Sequence, residues 1–166
     1  GKPSGPGATV SVSSKNGAYP TTGVPDWGSI QSVMAFRSAS YGVSSAKVIL
    51  ANYEVKVKNL SEYNKLPVRE AGQALVELVL IRSVPGENEP PLVAGTYDFT
   101  KPQGQAELTG EAFVRVADGK AVQLSRDSLE SKVVVTAVDD ASISGTFYLK
   151  DKWTTLEGTF TAPFVK

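Results

Sequence analysis

Residues 143 to 163 read ISGTFYLKDKWTTLEGTFTAP, two alternating arms around a polar centre at Lys150, Asp151 and Lys152. A period of two places Ile143, Gly145, Phe147 and Leu149 on one face of an extended arm, with Ser144, Thr146 and Tyr148 on the other. Leu156, Gly158 and Phe160 keep the same phase in the second arm. The stretch therefore predicts an antiparallel hairpin whose two phenylalanines share a core face. Each is preceded two positions earlier by a glycine, in a Gly-Thr-Phe tripeptide that occurs in both arms. Such glycines permit a bend, a bulge or close packing under a neighbouring ring.

Strand signals continue through most of the chain. ATVSVSS (8–14) alternates and runs into Asn16-Gly17, a tight-turn pair. SIQSVMAFRS (29–38) predicts a second strand. KVILANYEVKVK (47–58) predicts an amphipathic strand with Ile49, Ala51, Tyr53, Val55 and Val57 toward a core and Asn52, Glu54, Lys56 and Lys58 toward water. QALVELVLIRS (73–83) is apolar on both faces apart from Glu77, the pattern of a central strand covered on both sides. VPGENEPP (84–91) predicts a loop, because its prolines cannot donate to a ladder. A meander of shorter strands follows, with turn chemistry at Asp118-Gly119 and Asp139-Asp140. NLSEYNKLP (59–67) predicts one short helical turn capped at Asn59 or Ser61 and stopped by proline.

Nine or ten strands and at most one short helix make an all-β fold. The expected architecture is an antiparallel β-sandwich, with a flattened β-barrel as the alternative, since both bury such strands and hide their edges. Residues 1–8, GKPSGPGA, predict a flexible leader, and 9–166 a single domain. The leader's composition and the glycine at position 1 point to a processed, exported product, periplasmic or on the cell surface, with a possible N-terminal lipid anchor in the native precursor.

Composition removes whole classes of chemistry. The chain has no cysteine and no histidine, so thiol nucleophiles, disulfides, imidazole bases and the usual zinc sites are not available to it. Seventeen basic residues balance seventeen acidic ones, which gives no electrostatic footprint for nucleic acid. No apolar run reaches membrane-spanning length, so no transmembrane segment is expected. No cofactor and no metal is expected either: VDDAS and PGENEP gather oxygen ligands but lack the ligand alternation of a calcium loop. No glycine loop precedes a long helix, which removes a phosphate cradle.

Three groups of site candidates remain. Ser44, Ser45, Ala46 and Lys47 match the Ser-x-x-Lys spacing of serine acylases, but in a strand that spacing sends serine and lysine to opposite faces. Glu54, Glu70, Glu77 and Glu111 are the carboxylates in or near strands. Of these Glu77 interrupts an apolar strand, and its ordinary role is that of a strand residue near an edge or one paired with an arginine such as Arg82 or Arg115. Among the aromatics, Trp27, Trp153, Tyr41 and Tyr63, with Tyr19, fall in or beside predicted loops. Trp27, Trp153, Tyr41 and Tyr63 are the candidate ligand-binding residues, and the alternative role for all is packing at sheet ends.

The Gly/Pro/Ser leader, PLVAGTYDF and the closing ISGTFYLKDKWTTLEGTFTAPFVK together resemble the secreted or lipid-anchored β-sandwich domains of unknown function in bacteria. The resemblance implies an envelope or surface module, and it carries no functional residues. The expected function is thus an exported, non-enzymatic binding or interaction module with a carbohydrate or protein partner. A carboxylate-based hydrolase lacking histidine and a structural accessory domain of an envelope assembly are the alternatives.

Overall fold

A computed structural model describes residues 6–14, 27–67, 70–116, 121–123, 130–150 and 154–166. The strands are β1 (Gly7–Ser14), β2 (Ser32–Ala51), β3 (Leu75–Asn88), β4 (Gly95–Asp98), β5 (Leu108–Arg115), β6 (Ala121–Gln123), β7 (Lys132–Val138), β8 (Ser142–Lys150) and β9 (Thr154–Pro163), with one helix, α1 (Leu60–Asn64). They form one continuous sheet in the order β1-β9-β8-β7-β4-β5-β3-β2, with β6 on β5 outside that path. The fold is all-β, as expected.

Among the described residues the strands form one sheet rather than the two packed sheets of a sandwich. One mixed sheet curls into a half-barrel, and its path holds eight strands rather than nine or ten, the three-residue β6 being extra. Curling brings the chain just past β9 back to β2, where Val165 N–H donates to Ala35 C=O at 2.9 Å and Phe164 bridges Ala35 in parallel. Strand twist makes this possible: strands rotated against their neighbours along a long sheet bring its ends together.

The meander is broken at β4. β3 pairs β5, while β4 crosses to pair β7 antiparallel and touches β5 in parallel at Asp98 and Thr109. This parallel contact between two named strands makes the sheet mixed.

Two expected strands merge into β2. Residues 39–46, between the two expected strands, continue the ladder, with Gly42 at φ +81° allowing a register shift between Tyr41 and Val43. The same irregularity carries β3 through Pro85 and Gly86 to Asn88, where a loop was expected. At its other end β2 stops at Ala51, and residues 52–58 are not strand. Their alternation is real but serves another purpose: Asn52 accepts from Ala74 N–H at 2.7 Å and donates to Gly72 C=O at 2.9 Å, turning the chain back over the sheet. β1 begins at Gly7, so the last two residues of the expected leader, Gly7 and Ala8, belong to the sheet.

Both faces of the curled sheet bury apolar residues. The inner face holds Val48, Leu50, Val76, Leu78, Leu80, Tyr97, Phe147, Leu149, Leu156 and Phe160. On the outer face Ile49, Ala51 and Leu75 pack with Met34, Phe36, Val55 and Tyr63 under the returning segment. The end of β2 is therefore covered on both sides rather than wet on one. α1 closes that segment, capped at Asn59 rather than Ser61, with Asn59 Oδ1 accepting from Glu62 N–H at 2.9 Å. Glu62 in turn accepts from Lys58 N–H at 2.7 Å. The cap fixes the helix on the sheet, and its one buried residue is Tyr63.

The predicted hairpin is β8 and β9, paired antiparallel from Ser142↔Pro163 to Lys150↔Thr155. Asp139 makes the expected turn, its carboxylate accepting from Ala141 N–H at 2.7 Å and Ser142 N–H at 2.9 Å. The Asn16-Gly17 and Asp118-Gly119 turns lie outside the described residues.

Candidate functional site

A recess of about 220 Å³ opens on the outer face, lined by Lys47, Tyr63, Asn64, Leu66, Glu77 and Arg115. Three strands and the helix build it. In the ladder Glu77 stands between Ile49 of β2 and Phe113 of β5. Lys47 and Arg115 flank it diagonally, two positions along the neighbouring strands on the same face. α1 lowers Tyr63 onto this row, its ring 5.6 Å from that of Phe36.

Glu77 is 2% exposed and fully engaged. Arg115 donates Nε to Oε1 at 2.7 Å and Nη2 to Oε2 at 3.1 Å, and the Tyr63 hydroxyl donates to Oε1. Of the two arginines the sequence offered, Arg115 is the partner. Arg82 instead bonds Pro91 C=O at 2.6 Å and lies 3.8 Å from Glu107.

Burial alone pushes the Glu77 carboxyl up, and it is the largest influence. The hydrogen bonds from Arg115 and Tyr63, with the charges of Arg115 and Lys47, together outweigh it and hold the group below its ordinary value, hence ionised. The same pairing raises Arg115. Tyr63 is pushed far above the ordinary tyrosine value, first by burial and then by the Glu77 charge. The cluster thus holds a fixed carboxylate, a fixed guanidinium and a phenol that keeps its proton.

The other candidates separate. Ser44 is buried while Lys47 reaches the outer recess, so the Ser-x-x-Lys pair lies across the sheet as strand spacing requires. Glu54 is exposed and pairs with Lys56 at 3.2 Å, and Glu70 is exposed too. Glu111 lies on β5, outside the recess lining. Among the described residues no group of three or more acidic side chains could hold a metal ion.

Of the four aromatic candidates, Trp27 belongs to the inner core and is 8% exposed. Tyr63 is buried against Glu77. Tyr41 is 70% exposed, the one exposed large hydrophobic among the described residues, and its hydroxyl donates to Gly86 C=O at 3.0 Å. Trp153 and Tyr19 lie outside the described residues. A second, shallower hollow of about 580 Å³ lies over β4, β7 and β8, where Asp98, Lys132 and Tyr148 form a cross-strand row.

Lys47 escaped sequence reasoning as a site residue. It appears there only as the end of a serine motif, whereas its place beside Glu77 depends on the β2–β3 register and on where α1 lands. The apolar interruption at Glu77 was the usable signal.

Fold and site together define an all-β half-barrel with a buried, charge-paired cluster under a short capping helix. No family model, curated protein or solved structure matches this chain. Among the described residues no helix is long and apolar enough to cross a membrane.

Proposed function

We propose that this chain is a non-enzymatic binding module of the bacterial cell envelope, with a carbohydrate contact centred on Tyr41. The observation that carries the reading is the exposure of Tyr41. Most large apolar side chains leave water, but this ring stays out, and its hydroxyl is tied to Gly86 at the β2–β3 irregularity. A ring so anchored loses little freedom on stacking against a sugar. Asn88, in register beside it on β3, supplies a polar neighbour.

The hydrolase alternative needs a second carboxylate near the first. Glu77 is the one carboxylate among the residues lining its recess, and it is held ionised by partners on both oxygens. That arrangement suits a structural anion better than a general acid. The envelope location rests on the leader composition and the resemblance alone. Reading the gene upstream of Gly1 tests it: a signal sequence supports export, and an upstream frame encoding a folded domain removes it.

Glycan-array binding followed by calorimetric titration tests the contact. Wild type should bind one glycan class, and Tyr41→Ala should weaken that binding at least tenfold, in line with loss of an aromatic anchor. Equal binding by both proteins, or release of sugar from the bound glycan, would sink the reading.

A further inference from the structure

The outer-face recess carries more positive charge than its own carboxylate neutralises. Lys47 and Arg115 bring two cations and Glu77 one anion, which leaves one positive charge over. Glu77 is committed to Arg115 and Tyr63. Among the described residues no ion pair or hydrogen bond reaches the Lys47 ammonium. Its near neighbour is the Tyr63 ring, with the centroid 5.8 Å away.

Arg115 uses two of its five N–H donors on Glu77, and its side chain is 32% exposed. The tie to Glu77 fixes the guanidinium before any ligand arrives, so little freedom is lost when one binds. Asn64, at the end of α1, adds an amide to the lining, and Leu66 is its one aliphatic residue. A cationic ligand meets repulsion here. An apolar one would strip water from polar groups without replacing their hydrogen bonds.

We propose that this recess binds a small oxyanion, a carboxylate or phosphate group seated between Lys47 and Arg115 with the Asn64 amide as a third donor. Its volume of about 220 Å³ corresponds to roughly seven waters at about 30 Å³ each, room for such a head group and a short tail. The site is separate from the Tyr41 surface and does not depend on it.

Titration of the labelled protein by NMR with sodium acetate and, separately, sodium phosphate tests this, with sodium chloride holding ionic strength constant. Saturable shifts at the amides of residues 47, 63 and 64 and at the Arg115 Nε are expected. Saturation by acetate alone assigns a carboxylate, by phosphate alone a phosphate group, and by both a general oxyanion site. Lys47→Gln should weaken binding about tenfold or more, the loss expected for a charged hydrogen-bonding group. Lys47→Arg should restore most of it, and the unliganded melting temperature should stay near wild type. Saturation by neither anion, or full affinity in Lys47→Gln, overturns the proposal.

Discussion

Gly145 lies directly across the ladder from Phe160, and two residues along the relation inverts, with Phe147 across from Gly158. The repeated Gly-Thr-Phe is therefore a reciprocal pairing in which each glycine faces the other tripeptide's ring. The two rings lie 6.4 Å apart at 31°. A Cβ on Gly158 would stand 1.9 Å from the Thr9 carbonyl oxygen and 2.8 Å from Phe147 Cζ; one on Gly145 would stand 2.4 Å from the Val134 carbonyl oxygen. Gly158→Ala should cost about 3 kcal/mol in urea unfolding, with Gly145→Ala somewhat less. Trimming Phe147 to leucine should not rescue Gly158→Ala, because the nearer obstacle is the backbone of β1. A cost below about 1 kcal/mol for Gly158→Ala would refute the close approach.

Breaking the buried pair at Glu77 should be felt strongly. Glu77→Gln leaves a half-buried Arg115 without its counter-charge and should lower stability by about 3 kcal/mol. Replacing both residues, Glu77→Leu with Arg115→Met, should cost less than Glu77→Leu alone, since no unpaired charge is then left behind. Equilibrium denaturation of these variants and of Arg115→Met alone measures this, and additive costs of the two single changes Glu77→Leu and Arg115→Met would show that the pair is not coupled.

Acidification should erase that difference. Because Glu77 is depressed below its ordinary 4.5, its contribution is complete above that pH and is lost as pH falls through the lower folded value. Wild type should therefore exceed Glu77→Gln by a constant margin at neutral pH, and the margin should shrink below about pH 4.5. Taking the difference cancels Asp98, whose carboxyl is also held low, by Thr100. A margin independent of pH down to the acid transition contradicts the assignment.

At alkaline pH the direction reverses. Tyr63 and Tyr97 are both raised above the ordinary 10.0, chiefly by burial. Stability owed to their protonated forms is present below that value and is lost as pH rises toward the folded ones. In an absorbance titration of tyrosinate, Tyr63 and Tyr97 should resist ionisation until the chain unfolds. Tyr63→Phe should lower the absorbance step at unfolding by one tyrosine.

The hairpin was legible because its evidence is local: alternation in phase, a polar centre and repeated glycines all lie within residues 143 to 163. The short helix was legible for the same reason, though the sequence left its cap open between Asn59 and Ser61, and Glu77 stood out as a charge in an apolar strand, with the choice of Arg115 over Arg82 left to the β3–β5 register. What stayed hidden depends on long-range geometry. Tyr53, Val55 and Val57 alternate as a strand would, and only the turn at Asn52 sends them over the outer face. Gly42 accommodates a register shift that joins two expected strands into one, and that shift exists only against β3. The Lys47 recess exists because three strands and a returning helix meet there, and no local pattern encodes that meeting.

Trp27 provides the sharpest contrast between the two roles open to the aromatics. At 8% exposure within the inner core it should behave as packing rather than as a contact. In a Trp153→Phe variant, whose single indole is Trp27, emission should be blue-shifted and iodide should quench it weakly. Trp27→Ala should then cost about 3–5 kcal/mol, as deletions of large buried rings do. Tyr41→Ala, on an exposed ring, should cost less than about 1 kcal/mol. Ready quenching of Trp27, or a silent Trp27→Ala, would move that indole back to the surface and reopen its claim as a ligand contact.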